Sequence, residues 1–158
     1  MSKLSALIDE FLKGPALLRQ AVAGMSREQL LARPIAGKWS TLEVVCHLAD
    51  FDPILADRVK RTIALEKPTL VGADEQRFAA ELAYHDRDLE EELTIIERTR
   101  SQLARILRKL PDTALERVGV HNERGPLTLE QQLSLMTRHI PHHLKFIADK
   151  RKALGLPT

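Results

Sequence analysis

The sequence predicts an all-α protein that folds as a four-helix bundle in a single domain spanning residues 1–158. Four long segments carry apolar residues at helical spacing, three or four positions apart. The chain has few glycines and only 4% aromatic residues, which is typical of a helical protein rich in leucine and alanine. No segment shows the regular alternation of a strand. A chain of this length buries a substantial core without help from a metal or a disulfide.

The first two helices are predicted from apolar periodicity and from their start signals. The first spans residues 3–24, and a glycine-proline pair at its middle is expected to kink or split it, because proline removes a hydrogen-bond donor. The second spans residues 39–65. Ser40 and Glu43 form a capping box at its start.

The third and fourth helices follow the same reasoning. The third lies within residues 86–110, and the fourth runs from Thr128, which forms a capping box with Gln131, to about Lys152. Residues 67–85 are expected to be a long connection that contains a short helix. We expect an antiparallel bundle in which the second helix packs against the fourth.

Composition and charge exclude several classes of protein. The net charge is +2, and basic residues alternate with acidic ones, so no nucleic-acid surface stands out. No apolar run approaches the roughly 18 residues of a membrane span. The single cysteine, Cys46, cannot form an intrachain disulfide and is expected to be a buried, inert thiol. We expect a cytoplasmic protein with no nucleic-acid or membrane partner.

Three histidines are predicted to face one interior. At about 100° per residue, His47 falls within the apolar arc of the second helix. His143 falls within the apolar arc of the fourth helix, and His139 lies beside it one turn earlier. His142 points to the opposite face and is expected to lie at the surface.

Two interpretations of these histidines follow from spacing alone. Imidazoles at positions i and i+4 share a helix face, and a third from a facing helix completes a set of three nitrogens for zinc or a similar divalent metal. Alternatively, the histidines are hydrogen-bonded core residues without a metal. Pro141 bears on both, because a helix that ended there would destroy the i, i+4 relationship. We expect a kinked but continuous helix, since the apolar periodicity crosses Pro141 without a change of phase.

Two stretches resemble the DinB-like superfamily of metal-binding four-helix proteins, which includes bacillithiol transferases and, more distantly, mycothiol-dependent maleylpyruvate isomerase. They are "GKWSTLEVVCHLADFD" and, some ninety residues later, "HNERGPLTLEQQLSLMTRHIPHHLKFI". The resemblance covers nearly the whole chain. It implies a metal-binding triad at His47, His139 and His143, with zinc or nickel as the expected cofactor. Pro141 departs from the family pattern.

Other residues carry weaker predictions. Glu43, one turn before His47, is a candidate catalytic residue that orients a ligand or accepts a proton, although its capping role already explains it. Arg100, on the apolar stripe of the third helix, is a second candidate catalytic residue. Its charge needs a partner or an anionic ligand unless the side chain reaches solvent. His121 either reaches into a cleft or caps a loop, and His85 is expected at the surface.

Three functions remain open at this stage. The first is a metal-dependent thiol S-transferase that activates a low-molecular-weight thiol toward an electrophilic substrate. The second is a metal-dependent hydrolase that uses an activated water. The third is a stress-associated metal-binding or ligand-binding module without turnover. Whether the protein forms a homodimer also stays open.

Overall fold

The computed structural model describes residues 2–157. Over this range the chain forms six α-helices, of which four are long and two are short. They are α1 (Lys3–Val22), α2 (Arg27–Leu31), α3 (Thr41–Ala64), α4 (Glu75–Glu81), α5 (Leu89–Leu107) and α6 (Leu129–Ala153). Short 3-10 turns lie at Tyr84–Asp86 and Asp112–Glu116. The four long helices form the predicted four-helix bundle.

The bundle has a less regular topology than the sequence suggested. α1 and α3 each pack against both α5 and α6, so α1 lies diagonally across the bundle from α3. α3 and α6 are antiparallel, as expected, because Thr62 near the end of α3 hydrogen-bonds to Gln132 near the start of α6. α1 and α6 are parallel, since Lys3 pairs with Glu130 at their starts.

The expected alternation of directions is therefore wrong for two of the four neighbouring pairs. Lys60 of α3 contacts Gln102 of α5, whereas Asp50 contacts Arg87, just before α5 begins, so these two helices are parallel. Residues 65–88 account for this arrangement. They carry the chain back along the bundle from the end of α3 to the end at which α3 started, and they include α4.

A small sheet was missed by the sequence analysis, which found no convincing strand. Its strands are β1 (Thr69–Leu70), β2 (Val118–His121) and β3 (Gly125–Thr128). β2 pairs in parallel with β1 and antiparallel with β3. Strands of two and four residues are too short to show a recognisable alternation.

Local signals predicted the helix starts correctly, and of the two effects expected at Pro15, a kink or a split, the split does not occur. The capping boxes at Ser40 and Thr128 are both formed. α1 is not split, because it continues through Pro15 as one helix. Gly14 has a packing role instead: a Cβ there would lie 2.6 Å from Nη1 of Arg100, so a side chain would collide with that buried residue.

Among the residues described, no helix combines the length and the apolar composition that crossing a membrane requires. The long helices instead bury apolar stripes against one another inside the bundle. One apolar cluster includes Phe11, Leu103 and Met136, and a second includes Leu48 and Ile140. The second cluster supports the faces of α3 and α6 that carry the histidines.

Candidate metal centre

His47, His139 and His143 meet between α3 and α6. Each offers one ring nitrogen, and these three nitrogens lie within 4.8 Å of one another. The Nε2 atoms of His47 and His139 are 3.0 Å apart. The antiparallel packing of α3 and α6 brings His47 opposite the other two, which stand one above the other at i and i+4.

Pro141 does not interrupt this arrangement. α6 is one continuous helix from Leu129 to Ala153, with Pro141 inside it. His139 and His143 therefore keep the helical phase that the sequence predicted. His142 is exposed, as expected, but it lines the same open cleft as His139 and His143 rather than facing away from it, and its ring centroid lies 5.2 Å from that of His143.

The three imidazoles lie in surroundings that keep them neutral. His47 is only 1% exposed, and the rings of Trp39 and Phe51 lie 5.2 Å and 4.5 Å from its ring. Burial lowers the pKa of His47 to about 4 and that of His143 to about 3. Burial, with a contribution from the two neighbouring histidines, lowers the pKa of His139 to about 2. Neutral imidazole is the form that binds a metal ion.

The donor set fits a divalent cation. Across residues 2–157, the Nδ1 atoms of His47, His139 and His143 are buried without any hydrogen-bond partner. In His47 and His139, however, the nitrogens that face each other are the Nε2 atoms, so the fit to a cation rests on the convergence of one neutral ring nitrogen from each of the three histidines. In the described part of the chain the cluster consists of three imidazoles and no fourth ligand, which matches an open zinc site, and zinc, nickel and copper all accept imidazole.

An open cleft of about 1190 Å³ lies over the histidines. Its walls combine apolar, acidic and basic side chains. They include Trp39, Phe51, Arg58, Glu75, His121, Gln132, Arg138 and Phe146. Anything bound by the three histidines would therefore be reachable from solvent.

Two residues of the cleft, His121 and Glu75, can be compared with what the sequence predicted. His121, which the sequence analysis placed either in a cleft or in a loop cap, lines the cleft and is 4% exposed. Glu75 was missed, and one of its carboxylate oxygens lies 3.9 Å from Nε2 of His47. It lies in the first turn of α4, within the connection whose structure the sequence left least defined.

Glu43 is placed in the capping box rather than in the cleft. Its Oε2 accepts hydrogen bonds from the backbone N–H of Ser40 at 2.6 Å and from Nε of Arg33 at 3.0 Å. Its Oε1 accepts a hydrogen bond from Arg33 Nη2 and lies 3.2 Å from Nε2 of His85. His85 is exposed, as predicted. Both carboxylate oxygens of Glu43 are thus engaged away from the three histidines.

Arg100 is fully buried and does not reach solvent. Its guanidinium makes a two-point ion pair with Asp52, at 2.7 Å and 3.0 Å, and donates to the carbonyls of Phe11 and Met136. The partner that its charge requires is therefore a side chain of the protein. Asp52 was missed although it follows Leu48 by one turn on the buried face of α3, which was the available signal.

Cys46 is the buried thiol that was expected. It is 0% exposed, and its Sγ lies 3.6 Å from the carbonyl oxygen of Tyr84. Burial raises the pKa of the thiol to about 12, so the reactive thiolate is absent at neutral pH.

Comparison with known proteins shows which family the chain belongs to. The DinB superfamily matches the chain over residues 10–147. The chain belongs to the DinB superfamily. This finding confirms the resemblance recognised in the sequence and covers both helices that carry the histidines.

Similar proteins in the family are described as metal-dependent. A protein of Oceanobacillus iheyensis, named as a candidate metal-dependent hydrolase, is 32% identical over 147 residues, covering 92% of this chain and 85% of its own. The structure of YfiT from Bacillus subtilis matches with a TM-score of 0.91 and 28% identity, over 99% of this chain and 91% of that one. YfiT is described as "a probable metal-dependent hydrolase with an unusual four-helix bundle topology".

Proposed function

We propose that this protein is a divalent-metal-dependent enzyme that transfers a low-molecular-weight thiol to an electrophilic substrate, with zinc or nickel at the three histidines. One observation carries the proposal. Three neutral imidazoles, those of His47 and His143 buried and that of His139 partly buried, converge from two helices in an open cleft. A divalent cation held there would lower the pKa of a thiol or water, so that the nucleophile is available at neutral pH.

The size of the cleft favours a reaction between two molecules. Typical small-molecule pockets have volumes of about 300–1,000 Å³. The cleft, at about 1190 Å³, exceeds this range and leaves room for a thiol and an electrophile together. The aromatic rings of Trp39, Phe51 and Phe146 offer apolar surface for the electrophile, and the open side allows product release.

The residues around the site have two tasks in this mechanism. His47, His139 and His143 would hold the cation with neutral donors, because burial keeps their pKa values below neutral pH. Trp39 and Phe51 pack against His47 and restrict water on that side. Arg100 and Asp52 make no direct contribution, because their ion pair lies in the core and holds the helices together.

Hydrolysis is the second candidate, and Glu75 is the observation that favours it. Its carboxylate lies 3.9 Å from His47 Nε2 and is half exposed, within reach of a water at the site. A carboxylate in this position can accept a proton from the attacking water. The names of the relatives, including that of YfiT, also refer to hydrolysis.

The test compares both reactions on the same zinc-loaded or nickel-loaded protein. Thiol consumption with a panel of electrophiles measures transfer, and cleavage of a panel of esters and amides measures hydrolysis. Glu75→Gln separates them: hydrolysis should fall by about one hundredfold to ten-thousandfold if Glu75 is the base, whereas thiol transfer should change little. Metal binding without activity in either panel would support the binding module and contradict the enzyme.

A further inference from the structure

Lys150 is a buried cation at one end of the cleft. It is 2% exposed, lies near the end of α6 and lines the cleft over the histidines. Its Nζ donates one hydrogen bond, to the carbonyl oxygen of Phe146 at 3.0 Å. An ammonium group has three donors, so two of them remain for another partner.

Lys150 has no acidic partner in the structure. No ion pair between residues 2 and 157 includes it. Of the nearest carboxylates, Glu43 is already bound to Arg33, and Asp149 is exposed. Burial lowers the pKa of Lys150, and the attraction of Asp149 and Glu43 only partly opposes this effect. A buried cation without a counterion is costly unless a ligand supplies the negative charge.

The position of Lys150 relates it to the histidines. It follows His143 by seven residues, which is two helical turns and places both side chains on the same side of α6. The rise between their Cα atoms is about 10 Å. The hydrogen bond to the Phe146 carbonyl shows that the lysine side chain runs back along α6 toward the turn that follows His143, and both residues line the same cleft.

We propose that Lys150 binds a carboxylate group of the substrate while the reacting atom of the same molecule lies at the three histidines. The proposal deepens the proposed function, on which it rests, because it defines the ligand as an organic acid several bonds long. A single ammonium group with two available donors matches a carboxylate in charge and in number of hydrogen bonds. A purely structural role would be different: the lysine would only cap the carbonyls at the end of α6.

The test uses the only tryptophan, Trp39, which lines the same cleft. Its fluorescence reports the binding of hexanoate and hexanol, which differ in charge but not in chain length. Mercaptohexanoate and mercaptohexanol are then added to cobalt-loaded protein, in which sulfur coordination produces a new absorption band. The variants are Lys150→Met, Lys150→Arg and the control Lys145→Met, which removes an exposed lysine of α6 outside the cleft.

We expect the wild-type protein to bind hexanoate more tightly than hexanol. Lys150→Met should reduce this preference by about tenfold to one hundredfold, the usual contribution of a hydrogen bond to a charged group. Lys150→Arg should retain part of it, and Lys145→Met should retain all of it. A Lys150→Met protein that is less stable but keeps the carboxylate preference would show a purely structural role and overturn the proposal.

The two proposals fail in different ways. A carboxylate preference that depends on Lys150, without a sulfur-to-cobalt band for either thiol, would support the carboxylate site and contradict the thiol chemistry. A sulfur-to-cobalt band with equal affinity for mercaptohexanoate and mercaptohexanol would support the thiol chemistry and contradict the role of Lys150. Where Lys150→Met does not fold, Lys150→Gln replaces it in the same comparison.

Discussion

The Nε2 atom of His47, on α3, lies 3.0 Å from the Nε2 atom of His139, on α6. The two residues are ninety-two positions apart in the chain. Their contact depends on the antiparallel packing of these two helices, and His143 completes the cluster one turn along α6.

The first prediction concerns the three histidines. His47→Ala, His139→Ala and His143→Ala should each weaken zinc or nickel binding by more than about one hundredfold, because each removes one of three neutral donors. His142→Ala is the matched control and should bind almost normally, since His142 is an exposed residue of the same cleft but is not one of the three histidines whose ring nitrogens converge. Calorimetric titration of the four variants measures the affinities. If His139→Ala bound the metal normally and His142→Ala did not, the ligand would be His142, and the assignment of His139 would be wrong.

The second prediction concerns removal of the metal. The apolar core is formed by the long helices themselves, so a chelator should lower the melting temperature while the far-UV helical signal persists. Circular dichroism before and after chelation, with zinc added back, measures both quantities. Complete loss of the helical signal would indicate that the metal is required for folding.

The third prediction concerns the buried ion pair. Arg100→Met should lower the free energy of unfolding by about 3–5 kcal/mol, because it leaves the carboxylate of Asp52 buried without a counterion. Arg100→Met combined with Asp52→Leu should cost less than the sum of the single changes. Urea denaturation measures the three values. Zinc affinity of the folded variants should be nearly unchanged, whereas a large loss would point to a role for Arg100 in the site.

The fourth prediction concerns pH. Burial raises the pKa of Glu43, but the hydrogen bonds from Arg33 and from the backbone of Ser40 outweigh it, so the pKa lies below the ordinary value of 4.5. A pKa lowered by folding means that the ionised carboxylate stabilises the protein above about pH 4.5 and that this contribution is lost as the pH falls. Thermal melts of wild type and Glu43→Gln should therefore differ at neutral pH and converge in acid. An equal difference at both pH values would contradict this assignment.

Local signals in the sequence were sufficient for much of the fold and for the histidine cluster. Capping boxes at Ser40 and Thr128 depend on residues three positions apart, and they fixed the starts of α3 and α6. The inward phase of His47, His139 and His143 depends on helical geometry alone. His139 and His143 keep the same helical phase on either side of Pro141 because α6 is continuous through it.

Tertiary structure alone decided which residues complete the surroundings of the site. Asp52 neutralises Arg100 across two helices, and Glu75 reaches His47 from α4, a helix in the long connection. Lys150 is 2% exposed and forms no ion pair with any residue from 2 to 157, which its position on α6 did not predict. The parallel packing of α3 and α5 likewise follows from the route of residues 65–88. The physical reason is the distance along the sequence over which residues interact. Helix caps and helical phase are set by neighbours within about one turn. Ion pairs and clefts depend on residues that are far apart in the chain and that only the packing of the whole bundle brings together.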